Sequence, residues 1–96
     1  MKKTTTKILV VDDDPDIIEI LTYNLSNEGY NVKSASNGIE ALKKAKKFIP
    51  DIILLDVMMP VMDGIETCSN LREIESLSKS RIIFLSARSE DFTLIA

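Results

Sequence analysis

The sequence contains no histidine and only one cysteine, Cys68. Without histidine the chain cannot supply a histidine base, a His/Cys zinc site or a phosphohistidine of its own. One cysteine cannot form an internal disulfide, so nothing indicates an oxidising compartment. The sequence also has no large excess of either charge, because 12 basic and 15 acidic residues leave a net charge of −3. We therefore expect no nucleic-acid partner.

Long hydrophobic runs are absent as well. The first apolar run follows MKKTTTK, is short, and ends in three aspartates, so it predicts neither a signal peptide nor a membrane span. With 45% hydrophobic and 28% charged residues, the 96-residue sequence is typical of one globular domain. We expect a cytoplasmic protein without a membrane partner, with residues 1–96 as a single domain and residues 1–6 as a flexible N-terminus.

Strand and helix patterns alternate along the chain. Residues 7–12 (KILVVD) and 51–56 (DIILLD) are apolar runs typical of strands buried on both faces, and residues 30–36 and 81–86 predict two more strands. Helix starts are indicated at Asp14, Asn37 and Asp63, each a capping residue. Short connections between alternating elements predict an α/β fold, a doubly wound parallel sheet.

Two of the predicted helices have an assigned inner face. The lysine-rich helix carries its lysines on what we interpret as a solvated face, opposite Leu42, Ala45, Phe48 and Ile49. The inner face of the helix after Asp63 is predicted to consist of Ile65, Cys68, Leu71 and Ile74.

Acidic residues follow the predicted buried strands. Asp12, Asp13 and Asp14 close the first strand and Asp56 closes the third. Ligands of doubly wound sheets bind beyond these carboxyl ends, where neighbouring carboxylates need an offsetting cation. A hard cation with oxygen ligands fits, and Mg²⁺ is the usual one. Asp14 is interpreted as only a helix cap, and a nucleotide- or flavin-binding site after the first strand is excluded because DDDPD repels phosphate.

Such a cluster also predicts a reaction. A carboxylate beside Mg²⁺ can attack phosphorus and form an acyl phosphate. Ser86 closes the fourth predicted strand, and its hydroxyl could donate a hydrogen bond to a phosphoryl oxygen. Taken alone, Ser86 would be an ordinary strand-terminal serine.

Three separated motifs, VVDDDP, DIILLDVMMPVMDG and FLSA, together resemble the receiver (response-regulator, CheY-like) domains of bacterial two-component signal transduction. The resemblance extends from Lys7 onward. It implies a flavodoxin-like sheet of strand order 2-1-3-4 and a phosphoprotein of a phosphorelay. A sensor histidine kinase would be the partner, donating a phosphoryl group from phosphohistidine to give an aspartyl phosphate.

The resemblance also implies roles for individual residues. Asp56 matches the phosphoacceptor and Ser86 the switch hydroxyl, with Ala87 as the small residue beside it. The magnesium ligands would be Asp12, Asp13, Asp56 and the backbone carbonyl of Met58. Pro60 and Gly64 match the residues that shape the loop after the acceptor, residues 57–64, which we call the acceptor loop. The side chains of Met58, Met59 and Met62 are interpreted as packing within this loop.

The sequence departs from the receiver pattern at its end. Receivers continue into a fifth strand with a lysine and a fifth helix, and no residue here matches them. We therefore expect a C-terminally incomplete receiver, with residues 82–85 on an exposed edge that favours a homodimer or domain-swapped oligomer. We also expect no enzyme in the metabolic sense, since the chain would catalyse its own phosphorylation at most.

Two other functions stay open. A receiver that has lost switching could act as a protein-binding or self-associating module, which the absent lysine favours and the intact acids oppose. An aspartate-nucleophile phosphatase is the weaker alternative, because those enzymes carry a second aspartate two residues after the nucleophile, where this chain has Met58.

Overall fold

The computed structural model describes residues 5–85. Along the chain the elements are β1 (Lys7–Val11), α1 (Pro15–Asn27), β2 (Asn31–Ala35), α2 (Gly38–Phe48), β3 (Ile52–Asp56), α3 (Gly64–Arg72), a 3₁₀ turn (Glu75–Leu77) and β4 (Arg81–Leu85). The strands are parallel and adjoin in the order β2-β1-β3-β4. This confirms the predicted α/β class and strand order.

The central strands are aligned at both ends. Asp51 aligns the first residues of β1 and β3, because its backbone N–H donates to the Lys7 carbonyl at 2.8 Å and its carboxylate accepts from the Lys7 N–H at 2.8 Å. The Asp51 carbonyl also accepts from the N–H of Arg81, at the start of β4. At the other end Val11 pairs with Leu55. The residues that follow, Asp12 and Asp56, therefore reach the same edge of the sheet.

The main core lies between the sheet and the α2/α3 layer. Leu9 and Val11 of β1 and Ile53 and Leu55 of β3 are fully buried there. Leu71 of α3 is buried in the same core. Burial of β1 on both faces explains its continuous apolar sequence. The same prediction is wrong for β3, which buries Ile53 and Leu55 but leaves Ile52 and Leu54 only half-buried.

The predicted inner face of α3 is wrong for Ile65. That side chain is 41% exposed, whereas Thr67 is fully buried and its hydroxyl donates to the Asp63 carbonyl at 2.8 Å. The inward positions are 64, 67 and 71, a helical spacing that leaves position 65 outside. Cys68 is partly buried against the core, as predicted. Ile74 is also partly buried there, but α3 ends at Arg72, so Ile74 contacts the core from outside the helix to which it was assigned.

The α2 prediction needs a similar correction. Phe48 and Ala45 are buried as expected, but Ile49 is 43% exposed. Helix α2 ends at Phe48, and Ile49 adopts a left-handed backbone conformation with φ 49° before Pro50. The turn that stops the helix rotates Ile49 away from the face that Phe48 occupies.

All three predicted helix caps are present. The side chain of Asp14 accepts from the N–H of Asp16, Asn37 from Glu40, and Asp63 from Glu66, at 2.8–2.9 Å. None of the helices within residues 5–85 combines the length and the hydrophobicity that a membrane-spanning segment requires. The prediction of a flexible segment at residues 1–6 concerns mainly residues 1–4, which lie outside the described range.

Candidate functional site

Three carboxylates meet beyond the carboxyl ends of β1 and β3. One oxygen from each of Asp12, Asp13 and Asp56 can be chosen so that all three lie within 4.8 Å of one another. The structure thus brings together the acids that the sequence singled out.

Asp12 is held firmly by its neighbours. It is buried, its N–H donates to the Ala35 carbonyl of β2 at 3.1 Å, and its carboxylate accepts from the Asp14 N–H at 2.9 Å. Asp14 itself caps α1, as expected, and its carboxylate is not part of the cluster. The chain therefore orients Asp12 before any ligand is bound.

Asp56 is positioned by the loop that follows it. Its carboxylate accepts from the backbone N–H of Met58 at 3.3 Å, which places the Met58 backbone at the rim of the cluster. The Met58 side chain is 71% exposed, so its interpretation as loop packing is wrong. Met59 is buried and does pack. The side chain of Met58 points away because its backbone, rather than its thioether, faces the acid.

Burial and mutual repulsion perturb the acids. Burial, and then the charge of Asp12, raise the pKa of Asp56 to about 6. The pKa of Asp12 is also raised, chiefly by burial, although the Asp14 N–H opposes the shift. At pH 7 Asp56 is still mostly ionised, so the cluster concentrates negative charge. A divalent cation would relieve this repulsion.

A hollow of about 520 Å³ opens above the acids. Its opposite wall is apolar and includes Ile17, Ile20 and Leu21 of α1 and Leu85 of β4. Sequence reasoning did not identify this wall, and Ile17 and Ile20 are both exposed. The available signal was that α1 begins directly after the DDD segment, so its first turns must border the site.

The acceptor loop is tightly folded. Val61 has φ 72°, in the left-handed region that β-branched residues avoid, and Met62 N–H donates to the Pro60 carbonyl across it at 2.7 Å. The Gly64 N–H then donates to the Val57 carbonyl at 2.8 Å and returns the chain to β3. Gly64 thus shapes the loop, as the sequence resemblance implied.

Ser86 and Ala87 lie outside the described residues. The preceding residue, Leu85, pairs with Asp56 in the sheet. The switch-hydroxyl role of Ser86 stays a prediction.

Comparison with known proteins identifies the family. Residues 8–96 match the response regulator receiver domain. The chain belongs to the response regulator receiver family. The receiver is 51% identical over 86 residues to the alkaline phosphatase synthesis transcriptional regulatory protein PhoP of Bacillus subtilis, covering 90% of this chain and 35% of the relative. It is 45% identical to the CpxR homolog of Haemophilus influenzae, covering 90% and 36%.

Solved structures agree with the fold. The chemotaxis protein CheY4 of Vibrio cholerae superposes with a TM-score of 0.87 at 35% identity, covering 95% of this chain and 77% of that one. The receiver domain of the sensor histidine kinase PA1611 of Pseudomonas aeruginosa, with magnesium in its active site cleft, gives 0.84 at 31% identity, covering 91% and 71%. The receiver spans about a third of the length of the curated relatives that it matches.

Proposed function

We propose that this receiver takes a phosphoryl group on Asp56 in a Mg²⁺-dependent reaction, with a sensor-kinase phosphohistidine as the donor. The observation that carries the proposal is the convergence of the Asp12, Asp13 and Asp56 carboxylates within 4.8 Å. Membership of the receiver family supports it, because receivers act as phosphoacceptors in two-component signalling.

The donor set fits the proposed metal. Three carboxylates supply the oxygen ligands that Mg²⁺ prefers. Asp12, Asp13 and Asp56 would hold the ion, and the backbone carbonyl of Met58 is the proposed fourth protein ligand. When bound, Mg²⁺ would reduce repulsion between the acids and an incoming phosphoryl group and stabilise charge in the transition state. The magnesium in the active site cleft of the PA1611 receiver supports this proposal.

Asp56 would act as the nucleophile. One of its carboxylate oxygens forms a bond to phosphorus while the N–P bond of the donor breaks, and the imidazole leaves and takes up a proton. The pKa of metal-free Asp56, raised to about 6, leaves the group mostly ionised at pH 7, and a bound cation would favour the ionised, nucleophilic form further. The Met58 N–H holds the carboxylate in place before attack. Ser86 would donate a hydrogen bond to a phosphoryl oxygen.

The receiver would work as a switch and turn over no external substrate. The cluster contains the proposed acceptor itself, Asp56, which supports self-phosphorylation as the single catalysed step. Curated relatives bear names of transcriptional regulatory proteins, which supports an output in gene expression. Self-association through β4, an edge of the described sheet, stays a prediction that a concentration series by analytical ultracentrifugation tests.

Phosphorylation is tested by intact mass. The chain is incubated with acetyl phosphate, with and without Mg²⁺, and we expect a gain of one phosphoryl group only when the metal is present. Asp56→Asn should abolish the gain. Asp16→Asn is the matched control, because it removes the same charge from the exposed first turn of α1, outside the cluster, and should leave the gain intact.

The same assay includes the outcomes that reject the proposal. Phosphorylation that survives in Asp56→Asn would assign the acceptor to another residue. No gain in folded protein that binds Mg²⁺ would leave a binding module as the better account. Transfer from the phosphohistidine of an autophosphorylated sensor kinase, measured with radiolabelled phosphate, then tests the physiological donor.

A further inference from the structure

A second hollow lies along β2. It measures about 610 Å³ and is lined by four lysines, Lys7, Lys33, Lys44 and Lys47, together with Asn31, Ser34 and Phe48. We call it the lysine groove. Lys7 begins β1 and Asp12 follows the end of that strand, so the strand rise separates this end of the groove from the acids by roughly 16 Å.

Phe48 organises two of the lysines. The Lys7 ammonium lies 5.5 Å and the Lys33 ammonium 5.2 Å from the centroid of its ring. The ring is buried at the end of α2, so it forms a fixed base to which both ammonium groups are drawn. A ring quadrupole attracts cations but cannot neutralise them, and two like charges are therefore held over one ring.

Carboxylates do little to balance these charges. Within residues 5–85 the one salt bridge joins Lys44 to Glu40 at 3.3 Å, and Lys44 also donates to the Ser34 carbonyl at 2.6 Å. Asp51 lies near Lys7, but its carboxylate accepts from the backbone N–H rather than from the ammonium. No acidic residue of the described chain lines the groove. Lys7, Lys33 and Lys47 thus offer three cations without a carboxylate partner in that range.

The chemistry and size of the groove favour one class of ligand. Lysine ammonium groups are compact charges that bind phosphate well, and several of them match an anion with several phosphates. The volume falls within the range of small-molecule sites. Lysines cover the Phe48 ring, so it offers no stacking platform for a nucleic-acid base. We propose that the lysine groove binds a small oligophosphate anion, a diphosphate or triphosphate, either inorganic or carried by a nucleotide.

Calorimetric titration of the chain with sodium tripolyphosphate tests this proposal. Magnesium-free buffer of low ionic strength keeps the ligand out of the acidic cluster, which repels it. We expect saturable binding at one site, weakened about fivefold by Lys33→Gln and by Lys47→Gln, the loss expected of an exposed charge contact. Lys43→Gln and Lys46→Gln are matched controls, because they remove the same charge from α2 but do not line the groove. Circular dichroism checks that each variant is folded.

A parallel titration with ATP distinguishes the sources of the phosphates. Equal affinities would mean that the triphosphate alone is recognised, and tighter binding of ATP would assign the site to a nucleotide. Absence of saturable binding would overturn the proposal. Equal weakening in Lys33→Gln and Lys43→Gln would also overturn it, since the attraction would then be diffuse. So would binding of a single-stranded oligonucleotide without binding of tripolyphosphate.

Discussion

Gly64 lies directly against the backbone of Asp56. A β-carbon at Gly64 would overlap the Asp56 carbonyl oxygen and come within 2.7 Å of the Val57 α-carbon. Backbone atoms cannot yield as a flexible side chain can. The loop after Asp56 therefore closes only because position 64 has no side chain.

Replacing Gly64 tests this contact. We expect Gly64→Ala to lower the free energy of unfolding by about 3 kcal/mol and to weaken Mg²⁺ binding, because relief of the overlap displaces Asp56. Urea denaturation and calorimetry measure the two effects. Gly29→Ala is the control: Gly29 has φ 97° but nothing within 4 Å of an added β-carbon, so the cost should be about 1–2 kcal/mol from the backbone alone. A smaller loss in Gly64→Ala than in Gly29→Ala would contradict the argument.

The charge of Asp13 should destabilise the metal-free protein. We expect Asp13→Asn to raise metal-free stability by about 0.5 kcal/mol, because it removes one of three like charges at an exposed position. The same change should remove most of the stabilisation that added Mg²⁺ gives. Thermal unfolding with and without Mg²⁺ measures both effects. Asp16→Asn should keep the full response to the metal, and a loss of that response would show that Mg²⁺ acts through general surface charge.

Asp56 makes metal-free stability depend on pH. Its pKa is about 6 in the folded protein against an ordinary value of 3.8, so the folded state holds the proton more tightly than the unfolded state. Stability should therefore fall as pH rises from about 4 to about 6 and level off above that, by about 1–2 kcal/mol after solvent screening. Asp56→Asn should remove this component. Urea denaturation across the range measures it, and identical profiles for both proteins would refute the assignment.

Val61 provides a test of loop strain. It is 82% exposed and has φ 72°, so replacement by glycine, which adopts positive φ without strain, gives up little burial. We expect Val61→Gly to stabilise the protein by about 1 kcal/mol. Val61→Asn should gain less, because the hydrogen bond between Met62 and Pro60 closes a γ-turn, whereas asparagine tolerates the left-handed helical conformation. Urea midpoints rank the three proteins, and destabilisation by glycine would mean that Val61 is not strained.

Much of the site could be predicted because its signals are local. Strand ends are marked by the aspartates themselves, and the helix starts by Asp14, Asn37 and Asp63, whose caps involve residues two or three positions away. The shared edge of Asp12 and Asp56 followed from parallel pairing alone.

Other features depend on contacts between distant segments. Ile65 is as apolar as Leu71, and only the packed position of α3 decides which of them is buried. The 3₁₀ turn Glu75–Leu77 carries no strong signal in the sequence. The lysine groove needs β1, β2 and α2 together, so the lysines of α2 alone indicated only a solvated face.

The hydrogen bonds between Asp51 and Lys7 set a common starting point for β1 and β3. Asp12 lies five residues beyond Lys7 and Asp56 lies five residues beyond Asp51, so the two acids reach the same level at the edge of the sheet. Deleting one residue within β3 would move every following side chain to the opposite face of the sheet. The position of Asp56 at the site thus depends on the number of residues in β3, which substitutions leave unchanged and a single deletion alters.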